Sequence, residues 1–190
     1  MAREIVTVAG SPGSGKSSTA RALAQLLGFR HFSSGDLFRQ FAAERGLSIE
    51  AMNISAEAQR DIDLEVDNLL QEMYRTDERL VIDSRMAWHW MPQSFKVFLV
   101  LDPQTAAERI FAQLRREGRL SEDAQSVEEV RRSIDRRSAS ERRRYRALYR
   151  VDMADPLNFN IVVNTKNSDL RQVAAMVRAA YEAWRAADPP

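Results

Sequence analysis

Residues Gly10-Ser11-Pro12-Gly13-Ser14-Gly15-Lys16-Ser17 stand between an apolar run, Ile5 to Ala9, and a helical pattern that begins near Gly15. They satisfy the spacing G-x-x-x-x-G-K-[ST] at every fixed position. The three glycines let the backbone curl so that successive N–H groups turn toward phosphate oxygens. The N-terminus of the following helix, with Ser18 in its first turn, adds partial positive charge to that nest. Lys16 is placed to reach the β- and γ-phosphates, and the Ser17 hydroxyl to ligate Mg²⁺. A glycine-rich strand-to-helix turn that binds nothing is the competing reading. With strand, loop and helix in the required order, the pattern predicts a nucleoside triphosphate site.

The chain of 190 residues is long enough for one domain with a substantial core. No apolar run approaches the roughly 20 residues a membrane span needs, so no membrane partner is expected. The Met-Ala-Arg-Glu start leads straight into a strand and shows no signal peptide. The absence of cysteine excludes disulfides and thiolate metal sites, and a cytoplasmic location is the default expectation. A net charge of +1 gives no global pull on nucleic acid, and a monomer is expected. Of the 28 basic residues only three are Lys, and nine Arg fall between Arg131 and Arg150 against Asp135 and Glu141. Arg suits bidentate phosphate recognition; a solvated helix face is the plainer reading for most of them.

Strands are expected at residues 4–9, 30–33, 80–83, 96–101 and 160–164. Helices are expected at 15–27, from Ser34-Gly35-Asp36 to a break at Gly46, and over 48–74 in two pieces. Further helices are expected at 105–116 with a stop at Gly118, at 126–149, and at 168–187 before a frayed Pro189-Pro190. Ile62, Val66, Leu69, Leu70 and Met73 recur at helical spacing and read as a packing stripe. Ser126 with Glu129 three residues on fits a capping box. Five strands alternating with helices predict an α/β fold with a parallel sheet covered on both faces. Ligands then belong at the carboxyl ends of the strands. The 10–17 loop, Ser34 to Asp36, Asp83 to Arg85 and Asp102 all fall at such ends.

Asp83 follows three apolar residues, as a Mg²⁺-holding acid does, and Asp102 has the same local pattern. Either could instead cap the next turn; Asp83 is preferred because Arg85 stands two residues on. Ser34-Gly35-Asp36-Leu37-Phe38-Arg39 offers a hydroxyl, a tight turn and an Arg one helical turn later. Taken alone it reads as an N-cap with a surface Arg. On the long helix, Arg137 and Arg144 share a face, as do Arg136 and Arg143, and periodicity does not choose between the pairs. His31 and His89 are isolated and read as structural. Trp88 and Trp90 either line a base pocket or pack.

This order of motifs resembles the nucleoside monophosphate kinases: phosphate loop, S-x-G-D-x-x-R, hydrophobic-D-x-R and Arg-rich helix. Within them it is most similar to the compact cytidylate kinases of the archaeal type. Those carry S-A-G-D-[IL]-F-R, a stretch like Asp61-Ile62-Asp63-Leu64-Glu65-Val66-Asp67, and R-x-x-S-E-x-x-R-Y. The last is matched by Arg137, Ser140, Glu141, Arg144 and Tyr145, and it selects Arg137 and Arg144. A tail like Tyr149-Arg150-Val151-Asp152 follows.

The resemblance implies a phosphate-loop fold with sheet order 2-3-1-4-5. It implies a core at residues 1–34, 78–112 and 150–187, an acceptor-binding insert at about 35–77 and a short lid at about 113–149. ATP and Mg²⁺ are the implied cofactors, and small nucleotides the partners. Ser34, Arg39 and Arg85 would grip the acceptor monophosphate, with Asp36 also among the substrate-binding residues. Arg137 and Arg144 would close over the donor phosphates with Lys16, and Asp63 and Asp67 would touch the acceptor base or ribose. Ser17 and Asp83 would serve the metal. Gln113 stands where a lid Arg is usual, and Ser84 where a Gly is usual.

The function implied is ATP-dependent phosphorylation of CMP or dCMP. Other acceptors (AMP, UMP, shikimate, gluconate) are one alternative, with Asp36 as the base a hydroxyl acceptor needs. A nucleotide-dependent regulatory module touching RNA or protein is the other.

Overall fold

The computed structural model describes residues 4–48, 51–52, 61–75, 79–117 and 125–187. Most of the first piece of the 48–74 helix, the Gly118 stop and the Pro189-Pro190 end lie outside these residues. So do Met1 to Arg3, residue 78 and the side chain of Ile62.

The strands are β1 (Ile5–Gly10), β2 (Arg30–Ser33), β3 (Leu80–Asp83), β4 (Phe95–Val100) and β5 (Ile161–Asn164). The helices are α1 (Lys16–Leu27), α2 (Ser34–Glu44), α3 (Asp61–Arg75), α4 (Ala87–Trp90), α5 (Pro103–Arg116), α6 (Val127–Tyr149) and α7 (Leu170–Ala186), with a 3₁₀ turn at Pro156–Asn158. All five strands are parallel in the order β2-β3-β1-β4-β5, as expected.

Every residue of the central β1 is buried, because successive side chains point to opposite faces and both faces are covered. Val6 and Val8 face α1 and α7, where Leu23, Val173, Val177 and Tyr181 complete one core. Ile5 faces the other side, against Leu70 and Met73 of α3 and Met91 after α4. Val66, Leu69, Leu70 and Met73 of the stripe therefore pack against this core. Phe38, Phe41, Ala42 and Met52 form a small separate cluster beneath α2.

The capping box expected at α6 is present: Ser126 accepts from Glu129 N, and Glu129 from Ser126 N. A second box, Asp169 with Gln172, starts α7. α4 was not expected from the sequence. One turn long, it is held by tertiary burial of Ala87 and Trp88 and carries too few residues for a periodic signal.

Candidate active site

Register brings the strand ends level. Val8 pairs with Asp83, Ser33 with Asp83, and Gly10 with Leu99. From β1 the chain turns through Gly10, whose φ of +151° is closed to side chains and whose missing Cβ would strike the Leu99 carbonyl. Ser11 N–H donates to that same carbonyl oxygen at 2.9 Å. Pro12 and Gly13 continue the turn beneath α5, and Gly15, with φ +84°, enters α1 without a side-chain cap. The first-turn N–H groups of α1 are thus left for an external acceptor.

Lys16 Nζ donates to Ser11 O at 3.2 Å and Ser14 Oγ donates to the same oxygen at 2.8 Å. The Lys16 residue is only partly exposed. Its enclosed ammonium, helped by the neighbouring Arg85, is pushed down to about 8. Among the described residues, no carboxylate forms an ion pair with this cation.

Ser17 Oγ donates to Asp83 Oδ2, and Ser33 Oγ donates to the same oxygen at 3.4 Å while capping α2 through Asp36 N. Asp102 is otherwise engaged. It caps α5 by accepting from Thr105 N at 3.0 Å and Thr105 Oγ1 at 2.9 Å, and it meets Lys166 at 3.1 Å. Those bonds hold its carboxyl down to about 2. Of the two candidate acids, Asp83 is the one beside Ser17.

A cleft opens next to the loop, lined by Ser34, Arg39, Asp63, Arg85, Arg137 and Arg144 among others. Ser34 Oγ donates to the Asp83 carbonyl at 3.3 Å. Asp36 is paired with Arg39 on the exposed side of α2. Burial tends to raise the Asp36 carboxyl, but Arg39 outweighs it and holds the acid below the usual carboxylate range.

Arg144 does not reach over the loop in this conformation. It grips Asp63 of α3, Nε to Oδ2 at 2.9 Å and Nη2 to Oδ1 at 3.4 Å, with both residues buried. Burial pushes the Asp63 carboxyl up against the pull of Arg144. Asp67 accepts from Tyr149 Oη and from Trp90 Nε1, the latter at 2.9 Å, and burial pushes its carboxyl up to about 6. Both acids border the cleft while tied to α6 or α4.

Three features escaped the sequence reading. Glu141 carries the cleft's central negative charge, held between Arg85 at 2.5 Å and Arg137 at 2.9 Å. Tyr149 and Trp90 anchor Asp67. Ser33, rather than Ser34, caps α2. In the sequence Glu141 shows as an acid inside an Arg run, one turn from Arg137, and as the Glu of R-x-x-S-E-x-x-R-Y, with no role attached to it. Trp88 packs against Ala9 and Phe98 and donates to Arg85 O at 2.8 Å, and neither Trp88 nor Trp90 borders the cleft.

A phosphate loop at the end of β1, an acid at the end of β3 and an Arg-lined cleft beside them define a P-loop kinase. Solved structures agree on the fold. Shikimate kinase from Bacteroides thetaiotaomicron aligns with TM-score 0.62 and 16% identity over 95% of this chain and 98% of its own. A gluconokinase from Sinorhizobium meliloti aligns with TM-score 0.62 and 16% identity over 96% and 93%. A family model described as an AAA domain matches residues 6–132. The cytidylate kinase of Methanothrix thermoacetophila is 33% identical over 95% of this chain and 99% of its own length. That of Halorubrum lacusprofundi is 36% identical over 85% and 80%. The chain belongs to the cytidylate kinase family and is a transferase, a nucleoside monophosphate kinase. Among the described residues, no helix is long and apolar enough to cross a membrane.

Proposed function

We propose that the chain transfers the γ-phosphoryl group of ATP to CMP or dCMP. The observation carrying this reading is a cleft bearing Arg39, Arg85 and Arg137, a cationic seat for a second phosphate, whose Arg85 also borders the cavity at Gly10, Ser11 and Pro12 of the phosphate loop. Relatives named cytidylate kinase over nearly the whole length supply the preference for a cytosine acceptor.

Residues 10–18 hold the donor triphosphate through backbone N–H groups and Lys16. Arg39 and Arg85 bind the acceptor phosphate, and Arg137 neutralises charge spread over the transferring oxygens. The acceptor is already ionised near neutral pH, so its oxygen attacks in line without a base. Asp36, engaged by Arg39 with its carboxyl held low, makes a poor base for a hydroxyl acceptor. Ser17 and Asp83 present a hydroxyl and a carboxylate side by side, a donor set that fits Mg²⁺. Held by Ser17 and Asp83, the ion would supply charge neutralisation for the donor phosphates. Asp63 and Asp67 border the acceptor cleft and shape the base pocket, and Arg144 positions Asp63. Residues 35–77 form the acceptor insert and 113–149 the lid of one domain; their closure excludes water and so suppresses hydrolysis.

The test is ADP formation from Mg²⁺-ATP with CMP, dCMP, UMP, AMP, shikimate and gluconate offered singly. Preference for CMP or dCMP supports the reading. Preference for another acceptor discards the base assignment, and ATP binding without turnover on any acceptor discards the transfer.

A further inference from the structure

Glu141 is an acid buried among cations, and the transfer described above gives it no part. It is 4% exposed, and its two carboxylate oxygens are divided between two arginines. Oε2 meets Arg85 Nε at 2.5 Å, and Oε1 accepts from Arg137 Nε at 2.9 Å. Among the described residues, the terminal nitrogens of Arg85 and Arg137 have no hydrogen-bond partner. Both side chains border the acceptor cleft. Arg85 and Glu141 also border a second cavity that touches Gly10, Ser11 and Pro12. The Arg85–Glu141 pair is therefore the wall between the phosphate loop and the cleft, on the line along which a phosphoryl group would pass. Two guanidiniums gathered beside Lys16 repel one another, and long side chains lose conformational entropy when fixed. A single buried carboxylate answers both costs.

We infer that Glu141 is a positioning residue. It grips Arg85 and Arg137 by their Nε edges, so that their terminal N–H groups stand together on the acceptor phosphate. The inference rests on the transfer reading proposed above. It needs the acceptor to carry a phosphate, and Glu141 itself to remain off the acceptor.

The experiment compares Glu141→Gln and Glu141→Asp with the full wild-type chain. It uses steady-state kinetics on CMP and dCMP, titration with a fluorescent ATP analogue, and thermal melting. Gln accepts from one arginine only; Asp keeps the charge but loses the reach of one methylene. The analogue should bind both variants within about twofold of wild type. The kcat/KM for the acceptor should fall roughly a hundredfold, chiefly through KM, the scale of a misplaced group. In an Arg137→Ala background the same changes should cost markedly less, because one positioned group is already gone. Should Glu141→Gln fail to fold, Glu141→Asp carries the same comparison with the buried charge kept.

A lower acceptor KM in Glu141→Gln overturns the inference, since Glu141 would then be a stand-in that phosphate displaces. A loss that differs between CMP and dCMP also overturns it, by making Glu141 a sugar ligand. So does an undiminished loss in the Arg137→Ala background, or unimpaired variants beside an active wild type. A wild type inactive on every acceptor removes the transfer reading and this inference with it.

Discussion

At the carboxyl end of β1 the site is made of backbone, whereas between α3 and α6 it is made of paired side chains. The loop at residues 10–17 owes its shape to glycines with positive φ and to main-chain bonds such as Ser11 N to Leu99 O. Its residues are consecutive. The cleft depends on partners far apart in the chain: Arg144 on Asp63, 81 residues away, and Tyr149 on Asp67, 82 away. A backbone-built site fails when a side chain is added. A side-chain-built site fails when one partner is removed and the other is left buried and unsatisfied.

The sharpest break of this contrast is Gly10→Ala. A Cβ there collides with the Leu99 main chain, with Leu99 N 2.9 Å away, at a φ of +151°. Stability should fall by roughly 4 kcal/mol or more, read as a lost or strongly lowered thermal transition. Gly28→Ala is the control: its φ is +67° but nothing lies within 4 Å, so about 1 kcal/mol should be lost.

Lys16→Ala comes next. It should lower kcat by about a hundred- to a thousandfold in a coupled ADP assay, with the melting temperature nearly unchanged. A normal kcat would remove Lys16 from the transfer.

On the side-chain-built half, Arg144→Ala leaves Asp63 buried without its ion partner and should cost about 3 kcal/mol in denaturant unfolding. The double replacement Asp63→Leu with Arg144→Met should recover most of that stability without recovering acceptor KM. If stability stays low, the pair holds the fold rather than the cleft.

The smallest effect is a pH dependence. The Asp67 carboxyl is raised to about 6, so its folded form holds a proton that the unfolded chain releases nearer 4. Its contribution is fully present below the unfolded pKa and is lost as pH rises toward and through 6. Wild type should therefore lose roughly 2 kcal/mol relative to Asp67→Asn between pH 4 and 7 in urea melts. Parallel pH curves for the two proteins would show that Asp67 titrates normally.

The fold and the loop were legible because each rests on signals carried by neighbours in sequence. Alternating strand and helix patterns, the glycine spacing and the Ser126–Glu129 cap each need only a few adjacent residues. The five strands and their order 2-3-1-4-5 followed from those signals together with the family resemblance. α4 was not legible, because four residues are too short for a period and burial alone fixes them.

Between Asp83 and Asp102 the sequence offered only a preference for Asp83, from Arg85 two residues on. Both end an apolar strand, and only tertiary contact puts one beside Ser17 and the other on Thr105 and Lys166. Arg137 and Glu141 share a helix face by spacing alone, and the chain could say that much. That Arg85, 56 residues before Glu141, completes the cluster was decided only when the segment after β3 met α6, because an ion pair depends on distance in space and not along the chain.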